Sequence, residues 1–406
     1  MRILFVSDTY YPHLNGVYYF VCRIAPLLRE NGHSVAVIAP SETTRFTRKL
    51  IDNIEVFGVP SLPVALYPKI RVAMRFGLRY RIRTLLAEFA PDVIHIQDHF
   101  LLARTVVKVN RRIGIPIMGT NHFMPENLTA WLKTDRWEKI VERLLWSKFS
   151  RVFDQLMLVT TPTETAARLI RPLLETEVVA VSSGIDLKMF APSGDSPQVR
   201  ARYGIPDKPV LLFVGRLDPE KKLEEVLEAA ALALQQFDFC LVIVGKGVRK
   251  KALEDQAAAL GITRNVIFTG FVPEEDLPMI YHLSRCFIIA SIAELLSLAT
   301  LQAMASGLPV IAARAGALEE LIHHGENGLL FEPGDIDGMV RSTLEIMRSE
   351  ALHRQMSARS LAYSRQHDIH ACVRAFENIY EYLAHEGFWE VVNESGPWVL
   401  SSTKKN

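Results

Sequence analysis

Short apolar runs recur along the chain and alternate with longer amphipathic stretches. In the first half they lie at Arg2–Ser7, Ser34–Ala39, Asp92–Gln97, Ile115–Thr120, Gln155–Thr160 and Val178–Ser182. In the second half they lie at Val210–Val214, Phe239–Val244, Val266–Thr269, Cys286–Ala290 and Val310–Ala313. Continuous apolar runs of this length predict strands buried on both faces, and the helical stretches between them predict βα units wound into parallel sheets. The fullest unit is Ser291 to Pro309, SIAELLSLATLQAMASGLP. Glu294 is the first charge after a buried strand, helix formers follow, and Gly307 and Pro309 stop the helix. This pattern sets Glu294 near a helix N-terminus, at the end of the strands where free backbone N–H groups favour phosphate and polar sugar groups. An ordinary first-turn carboxylate in a buried α/β unit gives the same pattern.

The chain opens as strand, loop 8–17, helix Tyr18–Asn31 and strand, a Rossmann-like βαβ unit without a GxGxxG fingerprint. Gly16 at the helix start either relieves a tight turn or lets a phosphate approach the backbone. His99 and His122 follow two further strands, where ligands collect in open α/β sheets. His95, His99 and His122 lack a fourth partner, and no metal is expected. Between 64 and 90, Lys69, Arg71, Arg75 and Arg79 are interleaved with apolar residues. Arg71, Arg75 and Arg79 recur at i+4 and predict one basic stripe on a helix. That is the pattern of an interfacial membrane segment, and also of a solvated face. Trp131 to Arg151 is again basic and aromatic.

The Pro- and Gly-bearing stretch 187–208 reads as a linker, dividing the chain into domains 1–186 and 187–383, with the tail 384–406 expected to pack back on the first. Beyond it, Arg216 and Lys221 straddle a strand-to-helix turn. Two cations and free N–H groups converging there suit a diphosphate, and a surface Arg-Lys pair is the plainer alternative. Gly215 and Gly245-x-Gly247, opening neighbouring loops, favour the former.

Composition changes this picture little. The 406 residues are 49% hydrophobic and 22% charged, as expected of a globular two-domain chain. The apolar region 286–313 is interrupted by Glu294, Gln302, Gly307 and Pro309, so an α/β core is expected there rather than a membrane span. Charge adds more. The net +1 conceals 24 Lys and Arg against 16 Asp and Glu in residues 1–180, roughly +8, with the remainder near −7. A basic first half suits an anionic surface or substrate. Four scattered cysteines without a CxxC pair, and no signal-like start, predict reduced thiols and a cytoplasmic protein.

The ordered blocks FVGRLDPEKK, IVGKG, VIFTGFVPEEDL, SIAELLSLATLQAMASGLPVIAARAGALEELI and HHGENGLLFEPGD resemble those of the group 1 glycosyltransferases, glycosyltransferase family four. The resemblance covers about residues 205–340, with weaker support from Asn15-Gly16-Val17, GTNHF and the closing helix near 371–383. It implies an α/β GT-B fold, two Rossmann-like domains facing each other across a cleft, and retaining, metal-independent transfer from a nucleotide-sugar donor. By position it implies that Arg216 and Lys221 hold the donor diphosphate and stabilise its developing charge. It implies that Glu294 bonds donor-sugar hydroxyls and that the backbone of Leu295, Leu296 and Ser297 lies near the sugar or phosphate. Phe271 and Val272 would flank the base. Gly215, Gly247 and Gly16 would line the diphosphate, and His122 would sit near the reacting sugar. The leaving phosphate would accept the proton of the acceptor in a front-face attack.

Four departures stand out. Gln302 replaces the second glutamate, which usually accepts from the ribose, and a glutamine lacks the charge and accepts less. Leu295-Leu296 replaces more polar residues, Lys222 replaces a usual glycine, and Lys246 and Val248 replace the Asp and Pro of GDGP. The expected activity is transfer of a hexose to an acceptor hydroxyl. The blocks YPHLNGVYYF and NHFMPENL and the basic stretch look most like members that glycosylate diacylglycerol lipids. A soluble sugar acceptor or a non-catalytic nucleotide-sugar-binding subunit is the alternative. A GT-B epimerase or phosphorylase is argued against by the Arg216, Lys221 and Glu294 set. Expected partners are the nucleotide sugar, a lipid or sugar acceptor and an anionic membrane surface, with no cofactor and no nucleic acid. The expected location is the cytoplasm, peripheral on the inner face of its membrane.

Overall fold

The computed structural model describes residues 1–11, 16–64, 67–122, 135–194 and 196–385, with side chains 67–70 and 135–142 outside that description. Two units emerge. The first comprises Met1–Ser183 and the chain from His370 onward, and the second is Gly184–Ile369.

In the first unit the strands are β1 (Arg2–Val6), β2 (Ser34–Pro40), β3 (Thr47–Ile51), β4 (Ile54–Val59), β5 (Ser61–Val64), β6 (Tyr67–Ala73), β7 (Val93–Ile96), β8 (Ile117–Thr120), β9 (Leu158–Thr161) and β10 (Val178–Ala180). Its helices are α1 (Gly16–Glu30), α2 (Leu78–Phe89), α3 (Leu101–Asn110), α4 (Asp135–Phe153) and α5 (Glu164–Ile170). Eight strands form one sheet in the order β10-β9-β8-β7-β1-β2-β4-β3, parallel except for β3. Phe5 at its centre pairs with Val37 on one side and His95 on the other. Burial on both faces explains why the strands read as unbroken apolar runs.

The second unit carries β11 (Val210–Val214), β12 (Cys240–Val244), β13 (Val266–Gly270), β14 (Cys286–Ile289), β15 (Val310–Ala313) and β16 (Gly328–Phe331), all parallel, in the order β13-β12-β11-β14-β15-β16. Its helices are α6 (Pro197–Tyr203), α7 (Leu223–Leu234), α8 (Lys250–Ala259), α9 (Leu277–His282), α10 (Leu298–Ala305), α11 (Leu318–Leu321), α12 (Ile336–Arg348) and α13 (Glu350–Ser364). In each sheet the direction of winding reverses once, between β1 and β7 and between β11 and β14. Such reversals open a crevice at the C-terminal ends of the strands, where α/β folds bind ligands.

Four expectations need correction. The arginine stripe is not one helix. Arg71 lies on β6, antiparallel to β5, Arg75 lies in the following turn, and Arg79 lies on α2. Gly77, at φ 69°, starts α2 and breaks the i+4 pattern. The stretch 187–208 is not a free linker, because Phe190, Val199 and Ile205 are buried in the core of the second unit and Ser196 caps α6. The chain passes into the second unit at 183/184. The second unit also ends at Ile369 rather than at 383. The last helix, α14 (Ile369–Ala384), buries Phe376, Ile379, Tyr380 and Leu383, with Phe376 and Tyr380 packed on His95 of the first unit. Each such side chain contributes about 1.5–3 kcal/mol on leaving water, enough to hold the helix there. The tail beyond 385 lies outside the described residues.

Candidate functional site

At the reversal of the second sheet, the loop after β11 runs through Gly215, Arg216 and a single 3-10 turn, Pro219–Lys221. The loop after β14 runs through Ser291 to Ser297 before α10 begins. The expected helix therefore starts at Leu298, leaving Leu295, Leu296 and Ser297 in the loop. Ser297 sets that start, its hydroxyl accepting the N–H of Thr300 at 3.2 Å. The two loops meet in an ion pair. Lys221 Nζ donates to Glu294 Oε1 at 2.5 Å, with side chains only 13% and 11% exposed. A third loop braces Glu294 from behind, where Ala317 N–H donates to its carbonyl at 3.2 Å.

Arg216 is placed differently from expectation. Its guanidinium is exposed and already engaged, donating to Asp218 and, at 2.8 Å, to Glu220. A diphosphate would find Lys221 enclosed and Arg216 at the rim.

The glycines have a structural cause of their own. A Cβ on Gly245, whose φ is 138°, would stand 1.8 Å from the carbonyl oxygen of Gly215. One on Gly247 would stand 2.3 Å from that of Leu217. The two loops are zippered through Leu217 N–H to Lys246 O and Arg249 N–H to Leu217 O, each 3.0 Å. Glycine is required here for loop-to-loop contact, which fixes the Arg216 and Lys221 segment. Phe271 is exposed, Val272 is buried, and Lys246 Nζ stands 5.5 Å over the Phe271 ring.

Gln302 is buried on α10 and its Oε1 accepts from the hydroxyl of Tyr281 at 2.9 Å. Its carbonyl is thus held by the protein. Lys222, in place of the usual glycine, adopts φ 53°, ψ 38°, the left-handed conformation. Lys222→Gly should stabilise the second unit by about 1 kcal/mol, as relief of left-handed strain does. Its urea unfolding midpoint reads this directly, and an unchanged or lower midpoint would show that the lysine stem compensates.

The reversal of the first sheet gathers Asp8, Gln97, Asp98 and His122. Asp8 accepts the N–H groups of Leu102 and Ala103, at 2.7 and 3.0 Å, at the start of α3. Its own N–H donates to Asp98 Oδ2 at 2.7 Å. Both carboxyls are buried, and burial together with the Asp8 charge raises Asp98 well above the usual carboxylate range. His122 Nε2–H donates to Gln97 Oε1 at 2.9 Å, and burial lowers its pKa to about 4. His99 packs on Phe100 and Phe149 with its pKa also lowered to about 4, mainly by burial. His95 bonds Tyr380 and Thr120, an internal structural role. Among the described residues no cluster of three or more His, Cys, Asp or Glu could hold a metal ion. Gly16 opens α1, and a Cβ there would meet open space, so packing within the protein does not require a glycine.

The membrane-contact set is divided. Arg71 turns inward, its Nε donating to the carbonyl of Ser41 at 2.9 Å and its Nη2 to that of Ser61 at 2.9 Å. The Lys69 side chain lies outside the described residues. Arg75 and Arg79 are exposed beside Phe76 and Tyr80, which are 94% and 76% exposed. No described helix is long and apolar enough to cross a membrane.

Sequence reasoning missed Asp8, Gln97, Asp98 and Tyr281. For the first three a signal existed, since each closely follows an apolar strand beside the reversal.

Two family profiles match, glycosyl transferases group 1 over residues 195–362 and glycosyltransferase family 4 over residues 14–189. The chain is 30% identical to a GDP-mannose-dependent alpha-mannosyltransferase of Mycolicibacterium smegmatis, over 83% of this chain and 85% of that one. It is 28% identical to an alpha-monoglucosyldiacylglycerol synthase of Streptococcus pneumoniae, over 82% and 75%. The fold matches Anabaena HepE in complex with UDP-glucose at a TM-score of 0.72 and 18% identity, over 94% and 99%.

Proposed function

From the premise that this chain belongs to the group 1 glycosyltransferases and has the GT-B fold, we propose that it moves a hexose, with retention, from a nucleotide-diphosphate sugar to the hydroxyl of a membrane glycerolipid. The enclosed Lys221–Glu294 pair at the sheet reversal carries this reading. The Lys221 ammonium neutralises charge as the sugar–phosphate bond breaks, and Glu294 accepts from sugar hydroxyls. Arg216 closes on the diphosphate by exchanging its carboxylate partners for phosphate oxygens. Neither carboxylate nor histidine serves as a nucleophile. The leaving phosphate takes the acceptor proton on the same face that the sugar departs from, and no metal enters the step. The UDP-glucose complex of a protein of the same fold and the monoglucosyldiacylglycerol synthase among the relatives support the donor and acceptor classes.

Arg75, Arg79, Phe76 and Tyr80 supply the membrane contact in this reading, as cations over an anionic surface with two aromatic side chains entering the interface. Partitioning onto anionic vesicles should fall by at least about thirtyfold in a variant combining Arg75→Glu, Arg79→Glu and Phe76→Ala, since two lost cations at about 1 kcal/mol each already account for that factor. Undiminished flotation would remove this contact from the account. Arg71→Glu does not belong in that test, because it breaks the internal bonds to the Ser41 and Ser61 carbonyls.

The deciding assay is transfer and hydrolysis across a panel of nucleotide sugars, with and without diacylglycerol-containing liposomes. Lipid-dependent turnover that disappears in Glu294→Ala supports the reading, whereas turnover on soluble sugars alone overturns the lipid acceptor. A second reading, a nucleotide-sugar-binding subunit without turnover, is favoured by Gln302, whose carbonyl is bound by Tyr281. Donor binding with no turnover on any acceptor would select it.

A further inference from the structure

Gln97 closes β7 as a fully buried, uncharged side chain, and its amide is oriented from both ends. Nε2 donates to the carbonyl of His95 at 3.4 Å, which leaves Oε1 toward His122 at 2.9 Å. An amide oxygen accepts only, so the ring nitrogen facing it, Nε2, carries the hydrogen. His122 then has Nδ1 bare, and no protein hydrogen bond reaches Nδ1 among the described residues. Phe20 of α1 lies 4.9 Å from the ring, centroid to centroid. The titratable group coupled to it is His95. His95 Nε2 bonds the Thr120 hydroxyl at 2.6 Å and Nδ1 bonds the Tyr380 hydroxyl at 2.8 Å, two partners that suit either neutral tautomer. Burial holds the His95 pKa well below the ordinary histidine range, which favours its neutral form beside His122.

We infer that Gln97 is a positioning residue that fixes His122 as its neutral Nε2–H tautomer, presenting Nδ1 as a hydrogen-bond acceptor to a hydroxyl of a ligand bound at the reversal of the first sheet. This rests on the function proposed above, in which the ligand bound at the reversal of the first sheet takes part in the transfer. His122 consequently neither gives up a proton nor places a cation beside that ligand. It selects a ligand that brings its own O–H.

The test uses the full chain labelled with 15N-histidine, with the His122 signals in long-range 1H–15N spectra assigned by their loss in His122→Asn. The expected result is one Nε2–H tautomer that stays neutral from pH 8 to pH 5.5. Gln97→Leu should mix the tautomers and lower kcat/KM by about 10- to 100-fold, the range carried by groups that orient a functional histidine. Gln97→Glu should hold His122 protonated into the neutral range and give the pH profile of transfer an acid-side loss that the wild type lacks. An Nδ1–H tautomer in the wild type would overturn the inference. So would titration of wild-type His122 near pH 6.5, or full transfer by Gln97→Leu. If a buried glutamate prevents folding, the wild-type spectrum and Gln97→Leu decide. If the wild type transfers no sugar at all, the proposed function fails while the spectra still decide the tautomer.

Discussion

Lys221→Ala should leave a folded protein whose kcat/KM for glycosyl transfer is lower by about 10³, the loss typical of removing one preorganised group that meets transition-state charge. Glu294→Ala should cost a similar factor through the sugar. The pair is enclosed, so either single change also strands a charge. Stability should fall by no more than the roughly 3–5 kcal/mol seen when fully buried pairs are broken, since both side chains keep some solvent. The combined Lys221→Ala, Glu294→Ala variant separates the two effects. It removes both charges, so much of the lost stability should return while transfer stays absent. Unfolding midpoints and initial rates on the same preparations read both quantities. A double variant that recovers transfer would make the pair a structural staple with no part in the chemistry.

Gly245→Ala should cost on the order of 3 kcal/mol or more, summing strain at a conformation reserved for glycine and the displacement of a backbone neighbour. Backbone is the decisive word. The atom a new Cβ would strike is the Gly215 carbonyl oxygen, which no rotamer change can remove. Donor affinity should fall with stability, because the displaced loop carries Arg216 and Lys221. Gly194→Ala is the control. A Cβ there meets open space, and stability should hold within about 0.5 kcal/mol. Calorimetry on the second unit's transition, with nucleotide-sugar titration alongside, gives both readouts. A Gly245→Ala protein as stable as the control would mean that the two loops separate freely.

These outcomes depend on features that the amino-acid order exposes unequally. The parallel strands were legible because burial on both faces leaves no polar alternation to confuse with a surface. The loop glycines were legible as loop openings, though not their cause, since the clash with Gly215 O joins segments thirty residues apart. The β5–β6 hairpin was misread because Lys69-Ile70-Arg71-Val72 alternates with period two while Arg71, Arg75 and Arg79 also fit a helical period. Only the Ser41 and Ser61 carbonyls, which hold Arg71, decide between them. Glu294 and Lys221 were each found as loop charges beside strand ends. Their pairing across 73 residues was not, because adjacency of β11 and β14 is a property of the sheet order. Gln97 gave only its position after a strand, and Tyr281 gave no signal. A neutral polar residue acts by direction, and direction has no trace in composition or spacing.

The placement of α14 has a consequence for how the molecule is made. The first sheet to leave the ribosome is the last to be completed, because the hydroxyl that bonds His95 Nδ1 and the ring that packs on Phe20 belong to Tyr380 and Phe376. The second unit is continuous and can finish folding as it emerges. The first must wait through nearly two hundred further residues with the His95 face of its core uncovered, a nascent intermediate of the kind that chaperones bind. Its assembly is therefore a late event in synthesis, and a chain broken off before Phe376 would leave the older domain the incomplete one.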